Sequence, residues 1–213
     1  MQIAIALYPG FTALDALGPY EVLRQMPDTE VTFVSNRSGP VLADSGVLSL
    51  YATCDYHELS APDIVIVPGS STHTEIAMRD PELIEWLQRV HQQTTWTTSV
   101  CTGALILGAA GILRGHPATT HWTMQSALAD VGAESRPNDR VVRDGKVVTA
   151  AGVSAGIDFA LWLVAEVCGQ ERAEMIQLAI EYDPQPPFDA GHPSKVSPQF
   201  LQHVLTEVVP PAL

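Results

Sequence analysis

Thr95-Trp96-Thr97-Thr98-Ser99-Val100-Cys101-Thr102-Gly103-Ala104-Leu105-Ile106-Leu107-Gly108-Ala109-Ala110 is the stretch on which the reading of this chain turns. Its first part, Thr95–Val100, is rich in β-branched residues and reads as a strand. Its second part, Thr102–Ala110, is dominated by Ala, Leu and Ile and reads as an apolar helix. The strand runs straight into Cys101 and the helix runs straight out, which is the setting of a nucleophile elbow. Small residues at the flanks, Ser99 and Gly103, relieve crowding in so tight a turn. A cysteine there sits at a helix N-terminus, where the dipole and free N–H groups favour thiolate over thiol. The Thr102 N–H is placed to face a developing negative charge. The competing reading of Cys101 is a small buried hydrophobe, the usual fate of cysteine. Its position at a strand end favours chemistry.

Outward from the elbow, apolar β-prone runs alternate with helical patterns. Strands are predicted over Gln2–Tyr8, Val31–Ser35, Asp63–Pro68, Thr95–Val100 and Lys146–Ala150. Several are nearly continuous apolar runs, as expected of strands covered on both faces. Helices are predicted over Ala16–Gln25, Pro81–Gln92, Thr102–Ala110, Thr123–Val131, Ala155–Val167 and Glu171–Glu181, with Asp80 and Pro81 opening the second. This alternation predicts an α/β fold: a mostly parallel sheet with helices on both faces, and ligands beyond the carboxyl ends of the strands. One compositional shift occurs near the end. Asp183–Pro198 holds five prolines (Pro184, Pro186, Pro187, Pro193 and Pro198) and reads as an extended arm over the surface or onto a second subunit. A single domain over 1–213 is expected, with that arm beginning at about 183.

Composition narrows the function. Lys and Arg number 11 against 24 Asp and Glu, a formal net charge of −13. So acidic a surface repels phosphate backbones and anionic lipid, so neither nucleic acid nor membrane is an expected partner. No apolar run reaches the roughly 18 residues of a membrane-spanning helix. The apolar opening Gln2–Tyr8 lacks a basic flank and stops at Pro9-Gly10, unlike a signal peptide. Three widely spaced cysteines, Cys54, Cys101 and Cys168, give no disulfide framework and predict a reducing cytoplasm.

Other residues compete for the chemistry. Gly152-Val153-Ser154-Ala155-Gly156 matches GxSxG, and Asp183 or Asp189 with His192 follow in the order a serine triad requires. Little after Ser154 reads as strand, however, so Ser154 reads better as a helix cap. Asp15 lies among Leu14, Ala16 and Leu17. From pattern alone it reads first as a cap; buried beside a thiolate, it becomes a carboxyl of raised pKa able to shuttle protons. The seven histidines form no metal motif, and no metal or organic cofactor is expected. His121, beside Trp122, and His73, after Pro68-Gly69-Ser70-Ser71, are the two histidines expected near a pocket. Cys54 and Cys168 read as structural.

With Asp15, Pro68-Gly69, Cys101-Thr102-Gly103 and Thr119-Thr120-His121-Trp122 assembled, the chain resembles the ThiJ/PfpI superfamily. It is similar above all to the isocyanide hydratase (isonitrile hydratase) branch. Leu107-Gly108-Ala109-Ala110-Gly111, Val141-Val142-Arg143-Asp144-Gly145, Ala155-Gly156-Ile157-Asp158-Phe159-Ala160 and Glu181-Tyr182 with Pro186-Pro187-Phe188 extend the likeness along nearly the whole chain. Singly, most of these stretches are shared with sensor domains fused to AraC-type regulators. The 213 residues hold no span for a helix-turn-helix domain, so a free-standing protein is expected.

The resemblance implies a flavodoxin-like sandwich, usually a homodimer, and a hydro-lyase that converts R–N≡C to an N-substituted formamide through a Cys101 thioimidate. It makes Cys101 the nucleophile, Asp15 the general acid/base and Thr102 an assisting hydroxyl. Gly69, Ser70, His73, Gly103, His121, Trp122 and Val153 become the pocket and oxyanion positions. A small neutral isocyanide needs only a largely hydrophobic pocket. Ser70-Ser71-Thr72-His73 stands where isocyanide hydratases carry a glycine-rich loop, which bears on substrate size. Thr102 stands where superfamily proteases carry His, against proteolysis. Glyoxalase-type members usually carry Glu in place of Asp15. The alternatives are a glyoxalase- or deglycase-like enzyme and a non-catalytic redox or stress sensor that needs a thiolate but no Asp15.

Overall fold

The computed structural model describes residues 1–209. In chain order the elements are β1 (Gln2–Ala6), α1 (Ala13–Leu23), β2 (Glu30–Ser35), β3 (Gly39–Leu42), β4 (Ser49–Ala52), β5 (Cys54–Asp55), β6 (Ile64–Val67), α2 (Thr74–Met78) and α3 (Pro81–His91). There follow β7 (Trp96–Val100), α4 (Gly103–Ala109), β8 (Pro117–Ala118), a 3-10 helix (Trp122–Leu128), β9 (Glu134–Ser135), β10 (Val141–Asp144) and β11 (Val147–Ala150). The chain then forms α5 (Ala155–Cys168), α6 (Gln170–Ala179), a 3-10 turn (Pro193–Lys195) and α7 (Pro198–Glu207).

Seven strands make the main sheet in the order β10-β11-β7-β6-β1-β2-β5. All neighbours are parallel except the β10–β11 edge pair. Every residue of β6, β7 and β11 is buried, so both faces of the sheet centre are covered. Such branched side chains each gain about 1.5–3 kcal/mol from full burial. One helix group packs α1 on α5 and α5 on α6; the other packs α2 and α3 on α4. The result is a flavodoxin-like α/β sandwich. Its strand order reverses between β1 and β6, and ligands of open α/β sheets bind beyond the carboxyl ends of the strands at such a switch point.

Helix α1 approaches α5 closely because both helices are notched. A Cβ on Gly18 would lie 3.2 Å from Ile157, and one on Gly156 would lie 3.1 Å from the Pro19 ring. This contact seats the start of α1, and with it Asp15, against the start of α5.

The expected strands and α3 form close to their predicted bounds; Asp80 caps α3, its Oδ1 accepting the Glu82 and Leu83 N–H groups. Four differences have physical reasons. Helix α1 begins at Ala13 rather than Ala16, so Asp15 lies in its first turn, with its carboxyl turned inward instead of capping. The helix expected over Thr123–Val131 is a 3-10 helix, held tight by Gln125 bonds to Thr119 and Thr120. Strand β10 was hidden because its partner turn, Asp144-Gly145, makes it an antiparallel edge. The expected arm has no regular element over 181–192, but Ser197 and Pro198 open α7, with Ser197 Oγ accepting the Phe200 N–H. The end of the expected domain, 210–213, lies outside the described residues.

Candidate active site

Cys101 stands at the junction of β7 and α4 with a φ of +58°, in the left-handed region. A non-glycine residue held there costs on the order of 1–3 kcal/mol, and such strain persists only where neighbours enforce it. The Cys101 N–H is shared by the carbonyls of Ala150 (3.1 Å) and Ala151 (2.9 Å), and the Cys101 carbonyl accepts the Thr120 hydroxyl at 2.9 Å. The turn is crowded enough to demand its glycine: a Cβ on Gly103 would sit 2.1 Å from the Val67 carbonyl oxygen. The thiol is buried, and the backbone N–H groups of Val153 and Thr102 face its sulfur.

The carboxyl of Asp15 reaches the same place from the first turn of α1. It is completely buried. Its Oδ2 accepts the Gly69 N–H at 2.8 Å, across the switch point from β6. Its Oδ1 has no hydrogen-bond partner among the described residues. Burial pushes the Asp15 carboxyl up to about 7, against the opposing pull of the Gly69 N–H and the Cys101 thiol; Asp44 adds a further upward push. Burial first, and the Asp15 charge second, push the Cys101 thiol well above its usual range, while the Val153 and Thr102 N–H groups oppose this. Two acids in one dry site thus compete for a single negative charge and titrate as a pair.

The loop after β6 is built to serve this pair. The Gly69 position lies against the elbow so closely that a Cβ would be 2.5 Å from Thr102 N and 3.0 Å from Cys101 Cβ. Thr102 Oγ1 accepts the Ser70 N–H (2.9 Å), donates to the Ser70 carbonyl (3.1 Å) and pairs with Thr74 Oγ1 (2.7 Å). The Thr102 hydroxyl is therefore committed to the loop. Ser70 Oγ in turn donates to the Gly10 carbonyl and accepts the Thr72 and His73 N–H groups.

The profile of the DJ-1/PfpI family matches residues 1–166. This chain belongs to the DJ-1/PfpI family. It is 42% identical over 193 residues to isonitrile hydratase of Pseudomonas putida, covering 91% of this chain and 83% of that protein. Among solved structures, a ThiJ/PfpI family protein from Pseudomonas syringae superposes with a TM-score of 0.92 at 39% identity, over 98% of this chain and 85% of that one. DJ-1beta of Drosophila melanogaster shares the fold, with a TM-score of 0.77 at 18% identity over 84% of this chain and 97% of that one. The family, the flavodoxin-like sandwich and an enzyme with a cysteine placed for nucleophilic attack all agree with the reading of the sequence.

The remaining expected positions of this DJ-1/PfpI protein divide into two groups. His121 lies beside the site: its ring sits against Gly152, where a Cβ would be 2.7 Å away, one residue before the Val153 N–H that faces sulfur. Its Nδ1 bonds Thr123 Oγ1 at 2.7 Å, and burial lowers its pKa, favouring the neutral ring. The half-buried Trp122 ring stacks obliquely at 5.8 Å from it. His73 instead packs on Gly10 and bonds Thr72 Oγ1; no hydrogen bond joins it to Cys101 or Asp15 among the described residues.

The rival serine site of this DJ-1/PfpI protein is not assembled. Ser154 is exposed and relaxed at the start of α5 (φ −70°, ψ −16°), its hydroxyl 3.3 Å from Arg140. Asp183 bonds Gln185, Asp189 pairs with Lys195, and His192 bonds Ser194, all within the arm. Among the described residues no three His, Cys, Asp or Glu side chains cluster to hold a metal, and no helix is long and apolar enough to cross a membrane. Two participants escaped sequence reasoning. Tyr8, two residues beyond β1, is buried, donates to the Pro68 carbonyl at 2.9 Å, and is raised by burial first and by Asp15 and Cys101 next. Asp44 comes from the β3–β4 turn, and no local motif marks it.

Proposed function

We propose that this chain hydrates isocyanides, R–N≡C, to N-substituted formamides, with Cys101 as nucleophile and Asp15 as general acid/base. The observation that carries the reading is the buried Asp15–Cys101 pair at a strained elbow, with one carboxylate oxygen fixed by Gly69 and the other left for proton exchange. The likeness to isonitrile hydratase of Pseudomonas putida supplies the substrate class.

In this reading the Cys101 proton passes to the Asp15 carboxylate, the thiolate adds to the terminal carbon, and protonated Asp15 delivers its proton to that carbon. A thioimidate, R–N=CH–S–Cys101, forms. Ionised Asp15 then takes a proton from water as the oxygen attacks the same carbon and passes it to nitrogen; the hydroxyl proton of the adduct returns to Asp15 as the C–S bond breaks, releasing R–NH–CHO and thiolate, which Asp15 reprotonates. A carboxyl poised near pH 7 is matched to giving and then taking a proton. The Val153 and Thr102 N–H groups stabilise the leaving thiolate. Thr102, through Ser70 and Thr74, and Gly69 and Gly103, through their lack of a side chain, hold the elbow and loop in register. His121 and Trp122 form the wall beside Val153, and His73 sets the outer edge of the loop.

The depth of the thiol favours an enzyme over an oxidant sensor, whose cysteine is typically exposed and of low pKa. We further propose a cytoplasmic homodimer of one domain per chain, with the arm from about 183 against the partner. Release of formamide from a simple aryl isocyanide by the wild type, and its absence in Cys101→Ala, tests the reaction. Turnover of reactive aldehydes instead would transfer the same pair to glyoxalase-like chemistry.

A further inference from the structure

Asp44 takes no part in the steps above, yet it touches both supports of Asp15. It stands in the turn between β3 and β4. Its N–H donates to the Phe11 carbonyl at 3.0 Å, the Gly10 N–H reaches the Leu42 carbonyl at 2.8 Å, and Phe11 bridges Ala43. The turn is thereby fastened to the segment entering α1. Its Oδ2 then receives three donors: the Thr12 hydroxyl (2.6 Å), the Ser71 hydroxyl (2.7 Å) and the Ser71 N–H (3.3 Å).

Those donors come from two different parts of the site. Thr12 precedes α1; its carbonyl accepts the Asp15 N–H at 3.1 Å, and its own N–H donates to the Gly69 carbonyl at 2.8 Å. Ser71 follows Gly69 and Ser70, whose N–H groups hold Asp15 and Thr102. We propose that Asp44 is a positioning residue of the Asp15–Cys101 site, one carboxylate oxygen tying the helix start that carries Asp15 to the loop whose N–H holds it. Three donors from two segments converge on that one oxygen, so the tie holds both supports of Asp15 at once.

The titratable groups acting on Asp15 are Cys101 from the elbow and Asp44 from the β3–β4 turn; Tyr8, two residues beyond β1, is itself raised by Asp15, and the His73 imidazole lies against Gly10 in the neighbouring loop. Asp44 adds to the upward push on Asp15. The hairpin, remote in sequence from the elbow, thus tunes the pH range in which the pair gives up its first proton.

Three variants of the full chain test this: Asp44→Asn, Asp44→Ala and Ser71→Ala. Each is read by melting temperature, by the titration of the Asp15 carboxyl in 13C NMR spectra, and by formamide formation from an aryl isocyanide. Asp44→Asn keeps an acceptor for Thr12 and Ser71 but removes the acidic neighbour, so the Asp15 midpoint moves to lower pH. Asp44→Ala moves the midpoint the same way and lowers kcat about tenfold or more as the carboxyl loses its register. Ser71→Ala keeps Asp44; kcat falls while the midpoint stays in place. An unmoved midpoint in folded Asp44→Asn overturns the proposal and leaves Asp44 as a hairpin fastening, whether or not Asp44→Ala folds. The turnover readout rests on the hydration reading and the NMR readout does not. A moved midpoint with no turnover by the wild type therefore overturns that reading alone.

Discussion

Asp15 Oδ2 accepts the Gly69 N–H at 2.8 Å, and this bond joins the chain leaving β1 to the chain leaving β6 at the point where the strand order reverses. It turns the switch point of the sheet into a site. One carboxylate oxygen is anchored on backbone, the other has no hydrogen-bond partner among the described residues, and the thiol at the end of strand β7 competes with it for the charge.

Asp15→Asn removes the charge that raises the Cys101 thiol while leaving an acceptor for Gly69. Cys101 should therefore be alkylated faster at neutral pH than in the wild type, as its thiolate forms at lower pH. The measurement is the iodoacetamide rate across pH 6–10. A slower rate in the variant contradicts the pairing.

Stability should carry the signature of the same carboxyl. Asp15 is raised from 3.8 to about 7 in the folded chain. The folded state therefore binds its proton more tightly than the unfolded state does. The stabilisation linked to that proton is fully present below about pH 4 and is lost as pH rises through about 7. The window is worth on the order of 4 kcal/mol at most. Denaturant unfolding of wild type and Asp15→Asn should show the variant gaining relative stability from pH 4 to pH 8; a constant difference contradicts the burial of an ionisable group.

Gly103→Ala forces a Cβ to within 2.1 Å of the Val67 carbonyl oxygen, which is backbone and cannot swing aside. A loss of about 3 kcal/mol or more is expected, seen as a lower denaturant midpoint. Ser154→Ala, by contrast, touches only an exposed hydroxyl near Arg140. Stability within about 0.5 kcal/mol of the wild type and unaltered turnover are expected. Loss of turnover there would revive the serine reading.

Thr102→Val leaves the Ser70 N–H without its acceptor and Thr74 without its hydroxyl partner. A buried donor left unpaired costs about 1–3 kcal/mol. Thr102→Ser restores the hydroxyl, so it should recover most of the stability and activity that Thr102→Val loses.

The elbow was legible because its signal is local: a β-branched run, one cysteine and an apolar helix in unbroken succession. The alternation of strands and helices carried the sandwich for the same reason. Asp15 was legible as an oddity among apolar residues, but its role was not, since a cap and an inward carboxyl look alike until the helix start is fixed at Ala13 rather than Ala16. Asp44 and Tyr8 left no mark at all. Each acts through contacts made across sequence gaps of 27 to 60 residues, and neither sits in a pattern that distinguishes it from a turn aspartate or a core tyrosine. The GxSxG match failed for the opposite reason: its spacing was right, but the backbone at Ser154 is relaxed, whereas the strain of an elbow resides at Cys101.

The most direct test of the account is steady-state formamide production from an aryl isocyanide by wild type, Cys101→Ala and Asp15→Asn, measured together on folded protein. The account predicts formamide from the wild type, background rates from Cys101→Ala, and a loss of about a hundredfold or more in Asp15→Asn despite its more readily alkylated thiol. Formamide production by Cys101→Ala at the wild-type rate, or none from a wild type whose Cys101 alkylates normally, would contradict it.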